Sequence, residues 1–490
     1  MTELLPLAIL MTSLCAAPII LAIPERARTL RTTINLTAAT LKVGLVAWLS
    51  IAVAAGGEFN LRLGIAPGLD LHLQADALSV LFLALSAVLW LLTTIYAIGY
   101  LEGGADRSRF FGFFSLCVAA TVGIAMAGNL FTFLIFFDLL TLATWPLVVH
   151  RGTAESHRAG RIYLAYTLGG GLALTLGTVW LYALAGDVPF APRGVLGDLP
   201  QTAPLALTAI FVLLIAGVGV KAALFPLHGW LPLSMVAPAP VSALLHAVAV
   251  VKAGAFGIMR IVYDVYGVET VQLLGLAAPL AALAAVTIIW GSVRALTQDD
   301  LKKRLAYSTI SQVSYITLGV ALLSPVAAVG GLAHLIHQGI MKITLFLAAG
   351  NFAEGRGVKT VSAMDGMGRL MPGATIAFTI GSLGMIGVPP LAGFVSKWYL
   401  GSGGLDAGQP MVIALLAGSS LLNAAYFLPI LYRAWFRDPQ EGAPVKRRIG
   451  WMLAVPPAAT AALILAAGLL ANAPFSPLGW TRFIVSLEYL

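Results

Sequence analysis

Stretches of about 20 consecutive apolar residues recur along the whole chain, and short polar loops separate them. A helix of that length crosses a bilayer core of roughly 30 Å. The chain is 59% hydrophobic and only 10% charged, whereas soluble domains carry roughly 25% charged residues. The repeated runs therefore predict an all-α integral membrane protein.

Windows of apolar sequence predict about fourteen transmembrane helices. No long hydrophilic insertion, low-complexity tract or extended linker interrupts them, so we expect one membrane domain, residues 1–490. The predicted spans begin near residues 4, 34, 77, 110, 130, 162, 205, 240, 271, 305, 326, 374, 411 and 451.

Basic residues are distributed unequally between the two predicted faces. If the loop after the first span is cytoplasmic, 20 Lys or Arg are cytoplasmic, six lie within spans, and only Arg62, Arg193 and Arg482 face the opposite side. The positive-inside rule then predicts a cell (inner) membrane protein with both termini periplasmic or extracellular. The first run follows MTELLP, which has no basic residue, so we expect a first span rather than a signal peptide. The net charge of +8 is expected to face anionic lipid rather than nucleic acid.

The two cysteines, Cys15 and Cys117, lie inside apolar runs and have no CxxC spacing. An iron–sulfur cluster or a zinc site cannot be built from these two thiols alone. We therefore expect no cofactor and no metal in this chain, and we expect any redox centre to belong to a partner subunit.

Ionisable residues recur inside the predicted spans, where a charge costs roughly 2.5 to 3.5 kcal/mol and residues that remain are usually paired or functional. Asp138 is the only acid within a predicted span, while Lys42 and Arg260 lie nearer predicted span ends and are expected to extend toward the surface. The candidate relay residues are Asp138, Lys221, His228, His246, Lys252, His334, His337, Lys342 and Lys397.

Lysine, histidine and aspartate in a low-dielectric interior are suited to proton transfer, because burial destabilises their charged forms and a neighbour can restore them. A haem site is the competing interpretation, but His334 and His337 on one helix cannot both ligate one iron. Pro226, Pro389 and Pro390 should interrupt their helices next to a lysine, and transporters place ion sites at such interruptions.

Five segments resemble the antiporter-like subunit family shared by respiratory complex I, Mrp-type cation/proton antiporters and membrane-bound energy-converting hydrogenases. They lie between about residues 110 and 400 and read KAALFPLHGWLP, APAPVSALLHAVAVVKAG, QDDLKKRLAYSTISQ, HLIHQGIMKITLFLAAGN and GVPPLAGFVSKWYL. The resemblance implies two inverted five-helix repeats, spans 4–8 and 9–13, with spans 7 and 12 broken. The implied segments are 1–109 for spans 1–3, 110–262 and 271–436 for the repeats, and 451–490 for the last span.

The resemblance also implies roles for the ionisable residues. Asp138 and Lys221 would form a switching pair, although the family usually has the longer glutamate at this position. Lys252 with His246 would continue a central axis, and Lys397 would gate an exit. His337 and Lys342 would join the two halves, with His334 on the same helix face and His228 leading toward one surface. The lysine at 397 and the spacing of His337 and Lys342 most resemble the Mrp D-type subunit.

The function that these features favour is proton translocation by one subunit of a multisubunit membrane complex. Na+ exchange or redox chemistry in partner subunits would drive it, the latter as part of a proton-pumping oxidoreductase. The expected partners are homologous antiporter-like and small membrane subunits, Fe–S redox subunits, H+, Na+ and lipid, but not nucleic acid. Two alternatives stay open: a non-conducting structural scaffold subunit of the same kind of complex, and a stand-alone solute carrier.

Overall fold

The structure is a computed structural model that describes residues 4–66, 69–101, 103–439 and 448–489. Glu3, Lys446 and Arg447, whose charges entered the signal-peptide and orientation arguments, lie outside those ranges. The longer helices are α1 (Leu5–Ala22), α2 (Arg28–Ala54), α3 (Ala77–Tyr100), α4 (Arg107–Ala125), α5 (Leu130–Val148), α6 (Ala154–Ala185), α7 (Pro204–Ala222), α8 (Ala239–Tyr266), α9 (Ala277–Leu296), α10 (Leu301–Ala321), α11 (Pro325–Arg356), α12 (Pro372–Ile386), α13 (Ala392–Asp406), α14 (Met411–Phe436), α15 (Trp451–Leu469) and α16 (Pro477–Tyr489). Short helical turns occupy Leu199–Thr202, Trp230–Leu233, Ser234–Val236, Val268–Leu273, Val361–Ala363 and Met367–Leu370.

Twelve helices in the described ranges are long and apolar enough to cross a membrane. This confirms the prediction of a helical membrane protein with many spans. Of the remaining candidates, α10 has 21 residues but a more polar sequence, and α12 and α13 are two pieces of 15 residues each. The count of fourteen crossings, the segment boundaries and the inverted repeats therefore stay predictions.

One two-stranded sheet, which the hydropathy windows did not predict, joins α2 to α3. Its strands are β1 (Phe59–Ala66) and β2 (Leu69–Ala75), and they pair antiparallel with Leu61 opposite Leu73. Apolar and polar residues alternate along both strands, which is the two-residue period of a strand with one covered face. Windows of about 19 residues average over that alternation and miss it.

Polar side chains set where several helices begin. The carboxylate, amide or hydroxyl oxygen of the residue before the helix accepts a hydrogen bond from the backbone N–H three residues later, which satisfies a donor that the first turn leaves unpaired. These caps are Asp76, Asn129, Thr153, Asp300 and Ser324, before α3, α5, α6, α10 and α11.

Helices α8 and α11 form the centre of the bundle, and the most apolar 18-residue window of each is completely buried. A glycine at 339 lets them approach closely, because a Cβ there would lie 3.2 Å from the carbonyl oxygen of Ala247. Residues within these windows are therefore shielded from both lipid and water. Polar side chains on α8 and α11 can therefore form a path that is buried inside the bundle.

Two helices are interrupted beside prolines. Helix α7 ends at Ala222, and Ala223 adopts a left-handed conformation with φ 57°. Pro226 has no N–H to donate to the Ala222 carbonyl, so the helical ladder cannot continue there. In the same way α12 ends at Ile386, before Pro389 and Pro390, and the chain becomes helical again at Ala392.

Arg260 is buried near one end of the bundle and forms ion pairs with two acids. The expectation that it extends to the surface was therefore wrong. It is 1% exposed and lies 2.7 Å from the carboxylate of Asp76 and 2.8 Å from that of Asp264. The α8 helix continues through a π-helical turn to Tyr266, past the predicted span end at 262, and so encloses both residues. Asp264 is thus a buried acid within a span, and the prediction that Asp138 is the only acid within a span was wrong.

Candidate functional site

Lys221 lies in the last turn of α7, directly before the interruption, and is completely buried. Its Nζ donates a hydrogen bond to the carbonyl oxygen of Phe137 on α5 and lies 3.4 Å from the centroid of the Phe137 ring. The carboxyl end of a helix and the face of an aromatic ring both favour a cation. The site can therefore hold an ammonium without a carboxylate in direct contact.

Asp138, the residue after Phe137, points toward α6. Its Oδ1 is buried and has no hydrogen-bond partner among the described residues. Gly171 provides the space, because a Cβ there would lie 2.6 Å from that oxygen. Within the described ranges, Asp138 and Lys221 form no ion pair at 4.0 Å or less. A proton that passes between them needs a bridging water or a rearranged side chain.

The first half of the chain reaches the second through Lys252. Its Nζ is completely buried on α8 and donates a hydrogen bond of 2.6 Å to the Leu335 carbonyl on α11. His246 lies on the π-helical segment Leu244–Val248 of the same helix and stacks on Phe346 of α11, with ring centroids 4.6 Å apart. Segments of π-helix occur often at functional sites, since they redirect side chains. The structure thus places both predicted residues of the central axis at the α8–α11 contact.

Lys342 and Lys397 are connected by neutral hydrogen-bonding groups from three helices. Lys342 Nζ donates to Ser308 Oγ at 2.7 Å, and the Tyr426 hydroxyl lies 2.8 Å from the same Oγ and 2.5 Å from Asn423 Oδ1. The Asn423 amide donates to the Met385 carbonyl at 3.3 Å, and Lys397 Nζ donates to that carbonyl at 3.0 Å. These groups form one chain from lysine to lysine.

The prolines explain why carbonyl groups are available at Lys397. In an unbroken helix the N–H groups at positions 389 and 390 would bond to the carbonyls of Met385 and Ile386, but proline has no N–H. Lys397 Nζ occupies both freed carbonyls, at 3.0 and 2.8 Å, and also donates to Ser420 Oγ at 3.0 Å. The interruption thus creates the binding site for the lysine.

His334 and His337 both lie on buried faces of α11. His334 Nδ1 is 2.8 Å from Ser396 Oγ, and its ring meets Tyr315 edge-on at 5.1 Å. Tyr315 also lies beneath Lys397, with 5.4 Å between Nζ and the ring centroid. His334 therefore lies beside the Lys397 site.

His228 has different neighbours from the rest of the set. It is half-buried, accepts a hydrogen bond from Trp290 Nε1 at 3.0 Å and stacks on Phe225. No hydrogen bond in the described structure joins it to another candidate relay residue. Its contacts fit a side chain that packs the interruption after α7 against α9.

Several buried polar atoms in this region have no protein partner among the described residues. They include both ring nitrogens of His246, both amide atoms of Gln338 and the Asp138 Oδ1. Buried polar groups are nearly always hydrogen-bonded, to protein or to ordered water. The atoms of His246 and Gln338 therefore mark positions where water would be bound along the α8–α11 contact, and Asp138 Oδ1 marks one beside Gly171 of α6.

Sequence reasoning missed Ser308, Asn423 and Tyr426. Serine, asparagine and tyrosine inside apolar spans commonly satisfy backbone carbonyls or join helices, so their residue types carried no distinct signal. Their role follows only from the distances to Lys342 and to the Met385 carbonyl. In the described ranges, no group of three or more His, Cys, Asp or Glu is arranged to hold a metal ion.

Comparisons with known proteins agree with this architecture. The family model described as "NADH:quinone oxidoreductase/Mrp antiporter, TM" matches residues 127–423, and that for "NADH-Ubiquinone oxidoreductase (complex I), chain 5 N-terminus" matches 67–111. The chain is 36% identical over 392 residues to NADH-quinone oxidoreductase subunit N of Desulforudis audaxviator (strain MP104C), covering 78% of this chain and 76% of that protein. It is 29% identical over 398 residues to a Na(+)/H(+) antiporter subunit of Bacillus subtilis (strain 168), covering 81% and 80%.

Among solved structures, a chain of the Mrp complex from Dietzia sp. DQ12-45-1b superposes with a TM-score of 0.89. The match covers 100% of this chain and 98% of that chain at 23% identity. At this identity the superposition establishes a shared fold, and it carries no information on which ion is moved.

Proposed function

We propose, on the premise that this chain belongs to the family of membrane subunits shared by NADH:quinone oxidoreductases and Mrp antiporters, that it carries protons through a relay of buried basic residues. The chain is a multi-pass integral membrane protein, and its relatives are subunits of multisubunit membrane complexes. Its proposed partners are homologous antiporter-like subunits and small membrane subunits.

The chain of hydrogen bonds from Lys342 to Lys397 is the observation that carries the proposal. Hydroxyl groups such as those of Ser308 and Tyr426 donate and accept, so they can pass a proton in either direction by reorienting. The Met385 carbonyl only accepts, from both Asn423 and Lys397, so the transfer between Tyr426 and Lys397 is proposed to use bound water beside these groups. Both lysines are bonded to neutral groups, and a buried ammonium without a counter-charge is costly. Each amine can therefore take up a proton and release it.

Lys221 and Lys252 supply the preceding steps of the relay. Each is completely buried and bonded to a backbone carbonyl, which accepts from an ammonium and cannot neutralise it. The unpartnered atoms of His246 and Gln338 lie on the helices that connect Lys252 to Lys342. Bound water at those atoms would complete the path from the first half of the chain to the second.

Transport is proposed to be coupled either to Na+ exchange or to redox chemistry in Fe–S partner subunits. The relative from Bacillus subtilis is named as a Na(+)/H(+) antiporter subunit, and the relative from Desulforudis audaxviator as an NADH-quinone oxidoreductase subunit. We place the chain in the cell (inner) membrane with both termini on the periplasmic or outer side, since 20 Lys or Arg then face the cytoplasm.

Replacing Lys252 tests the proposed function. We expect Lys252→Met to lower proton movement at least about tenfold, because methionine fills a similar volume but cannot bind a proton. The measurement is pH-gradient formation in liposomes that contain the whole complex, divided by the amount of assembled complex. Lys359→Met, at an exposed lysine, is the matched control. Undiminished transport per complex by Lys252→Met would favour the scaffold alternative.

Tyr426→Phe tests the step between Lys342 and Lys397. It removes one hydroxyl from the hydrogen-bonded chain and should lower transport about fivefold, since a hydrogen bond of this kind contributes roughly 1 kcal/mol. Tyr266→Phe is the matched control, because that buried hydroxyl bonds to the Leu207 carbonyl at 2.7 Å and lies outside the chain. Equal losses in the two variants would show that the path does not run through Tyr426.

A further inference from the structure

Lys42 occupies the middle of α2 and is completely buried, although the sequence predicted that it would extend toward the membrane surface. The predicted span began near 34, whereas α2 begins at Arg28, and this places Lys42 about halfway along a 27-residue helix. Its Nζ donates a hydrogen bond of 2.6 Å to Ser13 Oγ on α1 and lies 4.5 Å from the Trp90 ring centroid on α3. The proposed relay does not include this residue.

Within the described ranges, no carboxylate forms an ion pair of 4.0 Å or less with Lys42. The described acids between residues 4 and 125 are Glu25, Glu58, Asp70, Asp76 and Asp106, and all of them lie outside α1 to α4. Helices α1, α3 and α4 pack against α2. Toward Lys42, α1 presents Ser13 and α3 presents Trp90, while the arginines of α4 lie in its first turn.

A buried polar stripe leads from Lys42 to one membrane face. Arg31, Asn35 and Lys42 lie on the buried side of α2, with the small residues Ala38 and Ala39 between Asn35 and Lys42. Beyond Lys42 that side is apolar at Val46 and Leu49. Asn35 Nδ2 donates to the Arg31 carbonyl, and Arg31 lies 3.8 Å from Glu25, whose side chain is 44% exposed. The stripe therefore opens only toward the end at which α2 begins.

Glu25 provides a charged entrance to this stripe. Partial burial opposes its ionisation, but hydrogen bonds from the backbone N–H groups of Ser108 and Arg107 and the charge of Arg31 together hold its pKa below the usual value. Glu25 is therefore ionised at neutral pH and paired with Arg31 and Arg107, so the mouth of the stripe is a polar, ion-paired cluster.

Unpartnered polar atoms line the interval between Asn35 and Lys42. Asn35 Oδ1, Trp90 Nε1 and Thr94 Oγ1 are buried and have no hydrogen-bond partner in the described part of the chain. Since α3 returns across the bundle beside α2, Thr94 lies at a depth between Lys42 and Asn35. Seven residues of α2 separate those two side chains, a rise of roughly 10 Å that water bound to these atoms would bridge.

We propose that Lys42 is a further proton-binding site, loaded from the membrane face at which α2 begins through the polar stripe of Glu25, Arg31 and Asn35. The site rests on the proposed function, because the bound proton acts on the relay as a fixed positive charge. The polar stripe does not continue beyond Lys42, since Val46 and Leu49 make the next part of the buried side of α2 apolar. Its protonation at low pH opposes protonation of the relay lysines and so slows transport.

Lys42→Met tests the role of the bound proton. We expect the complex to assemble normally, because replacing a buried charge with an apolar residue of similar volume is usually neutral or stabilising. Without the proton on Lys42, transport should continue to lower pH. We therefore expect the pH at which transport falls to half of its maximum on the acidic side of the profile to move lower by about half a unit. An unchanged pH profile and rate, with Lys252→Met inactive in the same assay, would overturn this inference and leave the relay standing. Full transport by Lys252→Met would instead refute the relay.

Thiol labelling tests the path itself without relying on activity. Cysteine is introduced by Lys42→Cys into the complex after Cys15→Ser and Cys117→Ala remove the native thiols. A charged, membrane-impermeant thiol reagent should modify it from the face where α2 begins and not from the other. Ala39→Cys, on the buried side of α2 one turn away but without a proton-binding side chain, reports general accessibility. Labelling from neither face, or equally from both, would rule out a path that connects Lys42 to one membrane face only.

Discussion

Lys221→Met is expected to abolish proton movement by the reconstituted complex, with a loss of roughly a hundredfold or more. Lys221 is completely buried and sits at the carboxyl end of α7, where the Phe137 carbonyl and ring hold its ammonium. Methionine can fill this space, but it can neither bind a proton nor respond to Asp138. The measurement is pH-gradient formation in liposomes, divided by the amount of assembled complex.

Lys221→Arg distinguishes a requirement for proton release at position 221 from a requirement for a positive charge there. Arginine stays protonated in proteins, so it keeps the positive charge and cannot release a proton. If Lys221 works by exchanging its proton, the arginine variant should be as inactive as Lys221→Met. Substantial transport by Lys221→Arg would show that a permanent charge is sufficient, and Lys221 would then be removed from the relay.

Arg260→Met is expected to destabilise the protein by about 3–5 kcal/mol, because it removes the buried cation that pairs with two carboxylates. Arg260 donates to Asp76 at 2.7 and 2.9 Å and to Asp264 at 2.8 Å, and only 1% of its side chain is exposed. Native stabilities are commonly about 5–15 kcal/mol, so a loss of this size should reduce assembly strongly. The measurement is the thermal unfolding midpoint of the complex in detergent, together with its yield.

Arg369→Met is the matched control for the buried network. Arg369 also lies 2.6 Å from a carboxylate, that of Asp438, but the two side chains are 65% and 84% exposed. A solvent-exposed pair of this kind contributes less than about 1 kcal/mol, so the midpoint should hardly move. Similar losses in the two variants would mean that burial does not set the cost at Arg260.

Helix positions could be predicted well because each is encoded locally. An apolar run of sufficient length has no alternative in a bilayer but to form a helix that satisfies its own backbone. Proline likewise acts within its own turn, and the helices end at Ala222 and Ile386, before Pro226 and Pro389. The lysines at 221, 252, 342 and 397 were identifiable for a similar reason, since a charge stands out in an apolar sequence.

Partners of those lysines could not be predicted, because they come from distant parts of the chain. Lys252 bonds to Leu335, 83 residues away, and Tyr426 meets Ser308 across 118 residues. Burial of Lys42 was missed for another reason. Its depth depends on where α2 begins, and its neighbours Ser13 and Trp90 belong to two other helices.

The sequence by itself therefore determined that this chain is a helical membrane protein, where its helices are interrupted, and that the lysines at 221, 252, 342 and 397 carry ionisable groups into the interior. Backbone hydrogen bonding and the cost of charge in an apolar medium act on single segments, so both can be read from the order of residues. Only the tertiary structure decided which groups touch. It joined Lys342 to Lys397 through neutral hydroxyl and amide groups, paired Arg260 with two acids, and enclosed Lys42, because side-chain packing between helices depends on contacts that the sequence does not specify locally.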